Sequence, residues 1–454
     1  MKKLLFLSII LLPLFSYSQD IRSSYFMKSS TARLDMNPAF QPDKGFAKII
    51  GLGGIGANFS SNSLTLDKVI YPNPDGKGGS VSVLDSKIDG DKFLNSLEDE
   101  NKFNLSFRGD LLGFGWFTKK QNFWSINLGI KSMFNGSLPY SFFDFLKNGN
   151  SGENGNGKIY DFKNLQASEI CYADFSIGYS RKINSKLSVG VKVKYLKPIA
   201  DVNMEFDNLK IELSDDYWRA QGNGDFHAIG RNMEAEYEMR DNKETIDDLN
   251  FDGNNSSIGY GMGIDLGAEY QVNEKIKASF SIIDIGKLHY KKDNDIAGIA
   301  NTDYSFSGIN LNEDETFDLD DVISYEKADS EKRTRSLPTA INCGIEYKLL
   351  GDKFTAGLLY SSRNYYENSI KELTLSGNYH PFSWIYATAS YSFIESETGT
   401  MGLALNLCPS WINFFVGTDF MFFKVTPQFV PVKNNVANLF MGISFPLGKK
   451  DRKI

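Results

Sequence analysis

The chain has 454 residues, 14% of them aromatic, with 40 Gly against 13 Pro and a formal net charge of −7. The acidic balance disfavours binding to a phosphate backbone, so nucleic acid is not an expected partner. Beyond residue 20 no apolar run approaches the roughly 18 residues of a membrane helix, so any membrane crossing must be made by strands.

Met1-Lys2-Lys3, the apolar run Leu4 to Phe15 and Ser16-Tyr17-Ser18 form a basic, a hydrophobic and a small-residue region. They predict a signal peptide over residues 1–18, and no Cys marks a lipoprotein cleavage point. Residues 19–45 are not strand-like. Ser29-Ser30-Thr31-Ala32-Arg33 suggests a short helix or turn, and Pro38 and Pro42 break regular structure. Gly51-Leu52-Gly53-Gly54-Ile55-Gly56 spells a dinucleotide fingerprint, but no helical period follows it to hold a pyrophosphate. It reads instead as a glycine-rich first strand that leaves room for a plug to approach the wall.

From there the dominant signal is period two, the mark of a strand with two different faces. Ile258, Tyr260, Met262, Ile264, Leu266, Ala268 and Tyr270 share one face; Gly259, Gly261, Gly263, Asp265, Gly267 and Glu269 share the other. This alternation outruns a globular strand of about 5–6 residues and suits a tilted membrane strand of about 9–11 or more. It recurs over Leu187–Tyr195, Ile385–Phe393, Ile412–Phe422 and Ala437–Leu447. Two strands slip phase, near Leu111-Leu112 and Ile282-Ile283, which predicts a β-bulge in each.

Fourteen segments qualify, at about 46–59, 103–118, 122–134, 169–182, 186–197, 256–271, 275–290, 338–348, 353–363, 371–380, 384–394, 400–408, 411–422 and 436–448. Every second connection is tight, as at 119–121 and 182–185. Four of the others are very long, at 60–102, 135–168, 198–255 and 291–337, and within the third 203–213 could form an extra strand above the membrane. An even strand count with short turns on one rim and long loops on the other is the outer-membrane pattern. The expected fold class is therefore all-β: a transmembrane, antiparallel, up-and-down barrel over residues 46–448. Residues 19–45 form a periplasmic plug segment, residues 449–454 a periplasmic tail, and outer-membrane lipid surrounds the barrel. Both termini are expected in the periplasm.

The face opposite the apolar one carries Arg108, Asp110, Asp174, Lys192, Asp265 and Glu269. These read as solvated lumen charge or plug anchors, or as selectivity residues. Asp284 would face lipid unless the bulge turns it inward, where it could bind exposed backbone N–H groups. Asp248, Asn250 and Asp252, followed by Gly253, match the first half of a calcium loop, but Gly259 stands where a bidentate Glu is required. A solvated acidic loop is the default there, with loop calcium as the alternative and no other cofactor expected. Residues 201–256 carry 15 acids against 5 bases, and 291–336 carry 12 against 6, including Asp314, Asp318, Asp320 and Asp321. Cys171, Cys343 and Cys408 lack metal-ligand spacing and read as small apolar residues. His227, His289 and His380 form no triad spacing, so no enzyme is expected.

Asn37-Pro38-Ala39, just before the first of fourteen strands, resembles the NPA element of FadL-type fatty-acid transporters and of the related type IX secretion shuttle barrels. Ser281-Ile282-Ile283-Asp284-Ile285-Gly286 with Tyr290 resembles a strand motif of a Bacteroidota outer-membrane family of undefined function. The resemblance implies a hatch carrying Asn37, Pro38 and Ala39, and traffic of hydrophobic small molecules through a lumen or lateral opening. The acidic loops depart from the apolar capture surfaces of such transporters. They keep open a module that shuttles or anchors secreted proteins, and a structural barrel without cargo.

Overall fold

The computed structural model describes residues 21–49, 51–75, 79–85, 87–149, 158–214, 217–240, 242–251, 256–306, 324–365, 368–394, 399–419 and 436–448. The expected leader, Asp252, the acids from 314 to 321 and the tail 449–454 lie outside these residues.

Fourteen barrel strands follow in chain order. They are β1 (Gly45–Lys48 and Gly54–Ser61), β2 (Glu100–Phe117), β3 (Phe123–Pro139), β4 (Leu165–Lys182), β5 (Leu187–Leu213), β6 (Gly259–Gln271), β7 (Ile276–Tyr290), β8 (Ala340–Leu350), β9 (Phe354–Tyr365), β10 (Asn368–Phe382), β11 (Ile385–Ile394), β12 (Thr400–Leu407), β13 (Asn413–Thr418) and β14 (Val436–Leu447). Each pairs antiparallel with the next, and β14 returns to β1 through Gly45↔Leu447 and Ile55↔Met441. Closure joins the first and last strands, as a sheet surrounded by hydrocarbon requires.

The alternation decides which face meets lipid. On β6, Tyr260, Met262, Leu266 and Tyr270 are exposed, while Gly259, Gly261, Gly263 and Asp265 are buried. Phe114 and Trp116, Val193 and Tyr195, Ile345, Leu375, Tyr391, Phe393 and Leu403 continue the outward apolar wall. At the short-turn rim Trp116 stands opposite Trp124, whose ring lies 4.8 Å from that of Tyr179, and Phe382 stacks on Trp384 at 6.1 Å. This is the aromatic girdle of a membrane barrel. Cys343 is exposed on the outer wall, and all three cysteines are free thiols.

Both predicted bulges are present. The β2–β3 register shifts between Asp110 and Leu112, and the β6–β7 register shifts between Ile264 and Leu266, skipping Ile283 and Asp284. Asp284 takes φ of 58°, a left-handed conformation that suits a short polar side chain better than a branched one.

Several expectations need correction. The first strand is not continuous: it breaks between Lys48 and Gly54, with Gly51 at φ of 79°. Its second half registers with β2 at Gly54↔Asp110 and Ser61↔Phe103, with no paired residue between them. Ile258 does not join the lipid face; it is fully buried beside Leu288 and Leu337 before β6 begins. The connection between β9 and β10 shrinks to residues 366–367 because both strands run further than their alternation showed.

The long connections are also more ordered than loops. β5 continues to Leu213 and pairs with Trp218–Gly230, which pairs in turn with Ile296–Phe306. Lys243–Asn250 and Glu234–Arg240 extend this outer sheet through Tyr325–Lys327. Its core gathers Tyr160, Phe162, Phe206, Leu209, Phe226 and Tyr325. A second cluster forms around Val83, Phe93 and Leu94 against Phe143 of the helix Tyr140–Asn148. Lys147 from that helix donates to the carbonyls of Val83, Asp85 and Ile88 at 2.8 to 3.0 Å.

Candidate functional site

Residues 21–44 run inside the barrel, where short 3₁₀ turns at Arg22–Ser24 and Ala32–Asp35 replace any longer helix. Tyr25, Phe26, Leu34, Met36 and Phe40 bury themselves against Phe46, Phe123 and Leu359. Arg33 lies over the Phe40 ring with its guanidinium carbon 3.8 Å from the centroid. The segment is thus packed, but most of its specific anchoring is polar.

Asn37 and its neighbours supply the first set of anchors. The Asn37 amide donates to the carbonyls of Ala268 at 3.3 Å and Phe280 at 3.2 Å, and its oxygen accepts from the Ala39 amide at 2.9 Å. The Met36 carbonyl accepts from Ser281 at 2.6 Å and from Asn342 at 3.0 Å. Wall glycines permit this approach. A Cβ at Gly190 would fall 2.1 Å from the Pro38 carbonyl oxygen, and one at Gly267 would fall 2.1 Å from the Asn37 side-chain oxygen. Only a residue without a side chain lets the segment lie this close to the sheet.

Asp35 supplies the second anchor. Its carboxylate contacts Arg108 and lies 2.8 Å from Lys192, which also donates to the Leu34 carbonyl at 3.2 Å. Arg108 in turn holds Asp110 at 3.0 Å, and Asp110 accepts from Lys48 at 2.7 Å beside the break in β1. Next to this group Lys194 contacts Asp284 and lies 2.8 Å from Asp265, while Lys131 lies 3.3 Å from Asp284 and 3.5 Å from Asp174. The Asp284 backbone N–H donates to Asp265 at 2.8 Å. Five acids (Asp35, Asp110, Asp174, Asp265, Asp284) thus face five bases (Lys48, Arg108, Lys131, Lys192, Lys194), and a cavity of about 30 Å³ lies among them. Balanced pairing offsets the cost of placing so many charges out of bulk water.

A third anchor holds the beginning of the segment. The Asp419 carboxylate accepts from the backbone N–H of Arg22 at 2.7 Å and of Ser23 at 2.9 Å, and Arg22 also contacts Glu372. The Ser23 hydroxyl lies 2.9 Å from that of Ser390.

The family of unknown function (DUF5723) has a model that matches residues 38–419. The chain belongs to that family. Among curated proteins none matches this DUF5723 chain. Among solved structures it is similar to the toluene transporter TbuX of Ralstonia pickettii, at 10% identity and a TM-score of 0.43, with 96% of each chain covered. It is also similar to the toluene transporter TodX of P. putida, at 11% identity and a TM-score of 0.39, with 92% of each chain covered. A Pseudomonas aeruginosa FadL homologue matches at 10% identity and a TM-score of 0.41, covering 94% of this chain and 97% of that one.

In the DUF5723 chain the residues singled out by alternation divide into groups. Arg108, Asp110, Asp174, Lys192, Asp265 and Asp284 meet in the one lumen network just described. Glu269 stands apart toward the short-turn rim, 4.0 Å from Arg33 and 3.6 Å from Lys277. The carboxylate that accepts a bulge N–H is that of Asp265; Asp284 receives lysines instead. Asp248 and Asn250 lie in the outer strand Lys243–Asn250 rather than in a loop, with Asn250 donating to Glu236 at 2.6 Å. No group of three or more candidate metal ligands gathers among the described residues.

Alternation placed Lys194 on the same face as Lys192, and left Lys48, Lys131 and Asp35 unmarked. Lys194 sits two residues from Lys192, so one period carries both into the lumen. Asp35 lies in an unpatterned segment and carried no such signal.

Proposed function

We propose that this chain is an outer-membrane channel for hydrophobic or amphipathic small molecules, with residues 21–44 as its hatch. The observation that carries the reading is the polar seating of a separate chain segment within a closed barrel. Asp35, Asn37 and Arg22 each engage the wall by hydrogen bonds or ion pairs that a shift of the segment would break one group at a time. A barrel that served only as scaffold would gain more from an apolar filling, because buried ion pairs seldom stabilise more than packed side chains of similar volume. The seam between the second half of β1 and β2, beside the Lys48–Asp110 pair, offers a lateral way from the lumen into the bilayer. The short-turn rim, where Gly45 pairs with Leu447, faces the periplasm in this reading.

The test is entry of a hydrophobic fluorophore into vesicles whose outer leaflet is lipopolysaccharide, with and without the reconstituted protein. The proposal expects faster, saturable entry through the protein; a rate equal to that of protein-free vesicles overturns it.

A further inference from the structure

We propose that the outer wall holds one acyl chain of a glycerophospholipid in a groove over Gly377, Ala387 and Ala389. Cross-strand pairing fixes the geometry. Tyr379, Ala387, Leu405 and Val416 form one outward row across β10 to β13, and Gly377, Ala389, Leu403 and Thr418 form the next. Side chains directly opposite on one face of a sheet touch. Where three neighbouring positions are Gly, Ala and Ala, the wall is hollowed by the missing side chains.

The rows on either side are not hollow. Leu375, Tyr391 and Met401 stand beyond Gly377, and Phe382 and Trp384 of the girdle stand below Tyr379. The resulting groove has a volume of about 610 Å³ and is rimmed by Phe354, Tyr379, Leu403, Leu405, Val416 and Leu439. Among the described residues no charged side chain lines it. The groove is continuous with the apolar wall that meets hydrocarbon, so the neighbour that fills it is a lipid chain. Its place beside the girdle of the short-turn rim puts it in one leaflet. The choice of a glycerophospholipid rests on the orientation proposed above, which makes that leaflet the periplasmic one.

Native mass spectrometry of the full chain, released from outer membrane in mild detergent, tests the assignment. Wild type is expected to retain one glycerophospholipid per chain, and Ala389→Phe and Gly377→Leu to lower that fraction at least tenfold. Leu373→Phe, on the same wall but outside the groove, is expected to retain it. Unheated gel mobility shows which variants are folded barrels. Wild type without lipid, folded groove variants that retain as much lipid as wild type, or a second copy of the chain as the adduct overturns the assignment. Orientation fails separately: labelling of Asn184→Cys in a short turn, on intact cells with an impermeant reagent, reads it without reference to lipid.

Discussion

The Asp35 carboxylate, on the segment that fills the lumen, lies 2.8 Å from the ammonium of Lys192 on the barrel wall. Asp35 also contacts Arg108, so one side chain of that segment closes a bridge between β2 and β5. Both partners are largely buried. Removing one member of such a pair leaves the other charge uncompensated, at a cost of about 3–5 kcal/mol. Asp35→Asn is therefore expected to loosen the hatch without unfolding the barrel. Hydrogen exchange of residues 21–44 should accelerate strongly, and single-channel conductance should show openings that are rare in wild type.

Gly190 and Gly267 provide a steric version of the same test. A methyl group at either position collides with Pro38 or Asn37. Gly190→Val is expected to displace the Asn37 turn at a cost of about 1–3 kcal/mol or more, since overpacking forces backbone shifts. Proteolysis of the N-terminal segment from the short-turn side should appear in the variant and be absent in wild type, with barrel gel mobility unchanged.

Lys194 lies between two carboxylates that the β7 bulge brings together. It sits 2.8 Å from Asp265 and contacts Asp284, and Lys131 stands on the other side of Asp284. Lys194→Met leaves Asp265 and Asp284 repelling each other, with Lys131 beside Asp284 and Lys192 acting on Asp265. A loss of several kcal/mol is expected, read as a lower temperature for the shift between folded and unfolded bands on gels. Pairing the change with Asp265→Asn should recover part of it, because the repulsion is then removed.

The outer sheet carries a pH-dependent contact. Asp295 is buried, which works against its charge, but the hydrogen bond with His227 and the Arg333 guanidinium outweigh burial and hold its carboxyl below the ordinary range. A carboxyl lowered on folding adds stability that is fully present above its unfolded value, about 3.9, and is lost as pH falls through the folded value. Arg333 also lies 3.1 Å from Asp201, which Arg335 holds at 2.8 Å. Protection of the amides of residues 295–301 from exchange, relative to an unfolded peptide at the same pH, is expected to be high at pH 6 and to fall below about pH 4. Asp295→Asn should flatten that dependence.

The barrel was legible because its signal is local. Two-residue alternation over β6 or β11 needs no knowledge of partners, and the phase slip at Ile282-Ile283 exposes the bulge by itself. The break in β1 was not legible, because Gly51-Leu52-Gly53-Gly54 carries no side-chain pattern to interrupt. Of the outer sheet only 203–213 was legible as a strand, and a bulge hid its continuity with β5 and its pairing. Asn223 pairs with Asn208 and Gly224 with Phe206, leaving Asp207 as an extra residue. Phe206 and Leu209 therefore fall out of phase although both are buried in one core. Asp35 shows the deeper limit: its role depends on Arg108 and Lys192, which lie on strands far along the chain.

The most direct test of a movable hatch is to lock it. With Cys171, Cys343 and Cys408 replaced by Ala, Ser23→Cys and Ser390→Cys place two thiols where hydroxyls lie 2.9 Å apart. In the vesicle entry assay the oxidised protein is expected to pass the fluorophore no faster than protein-free vesicles, and reductant to restore the rate. Equal entry in the oxidised and reduced states would contradict the hatch and the channel that depends on it.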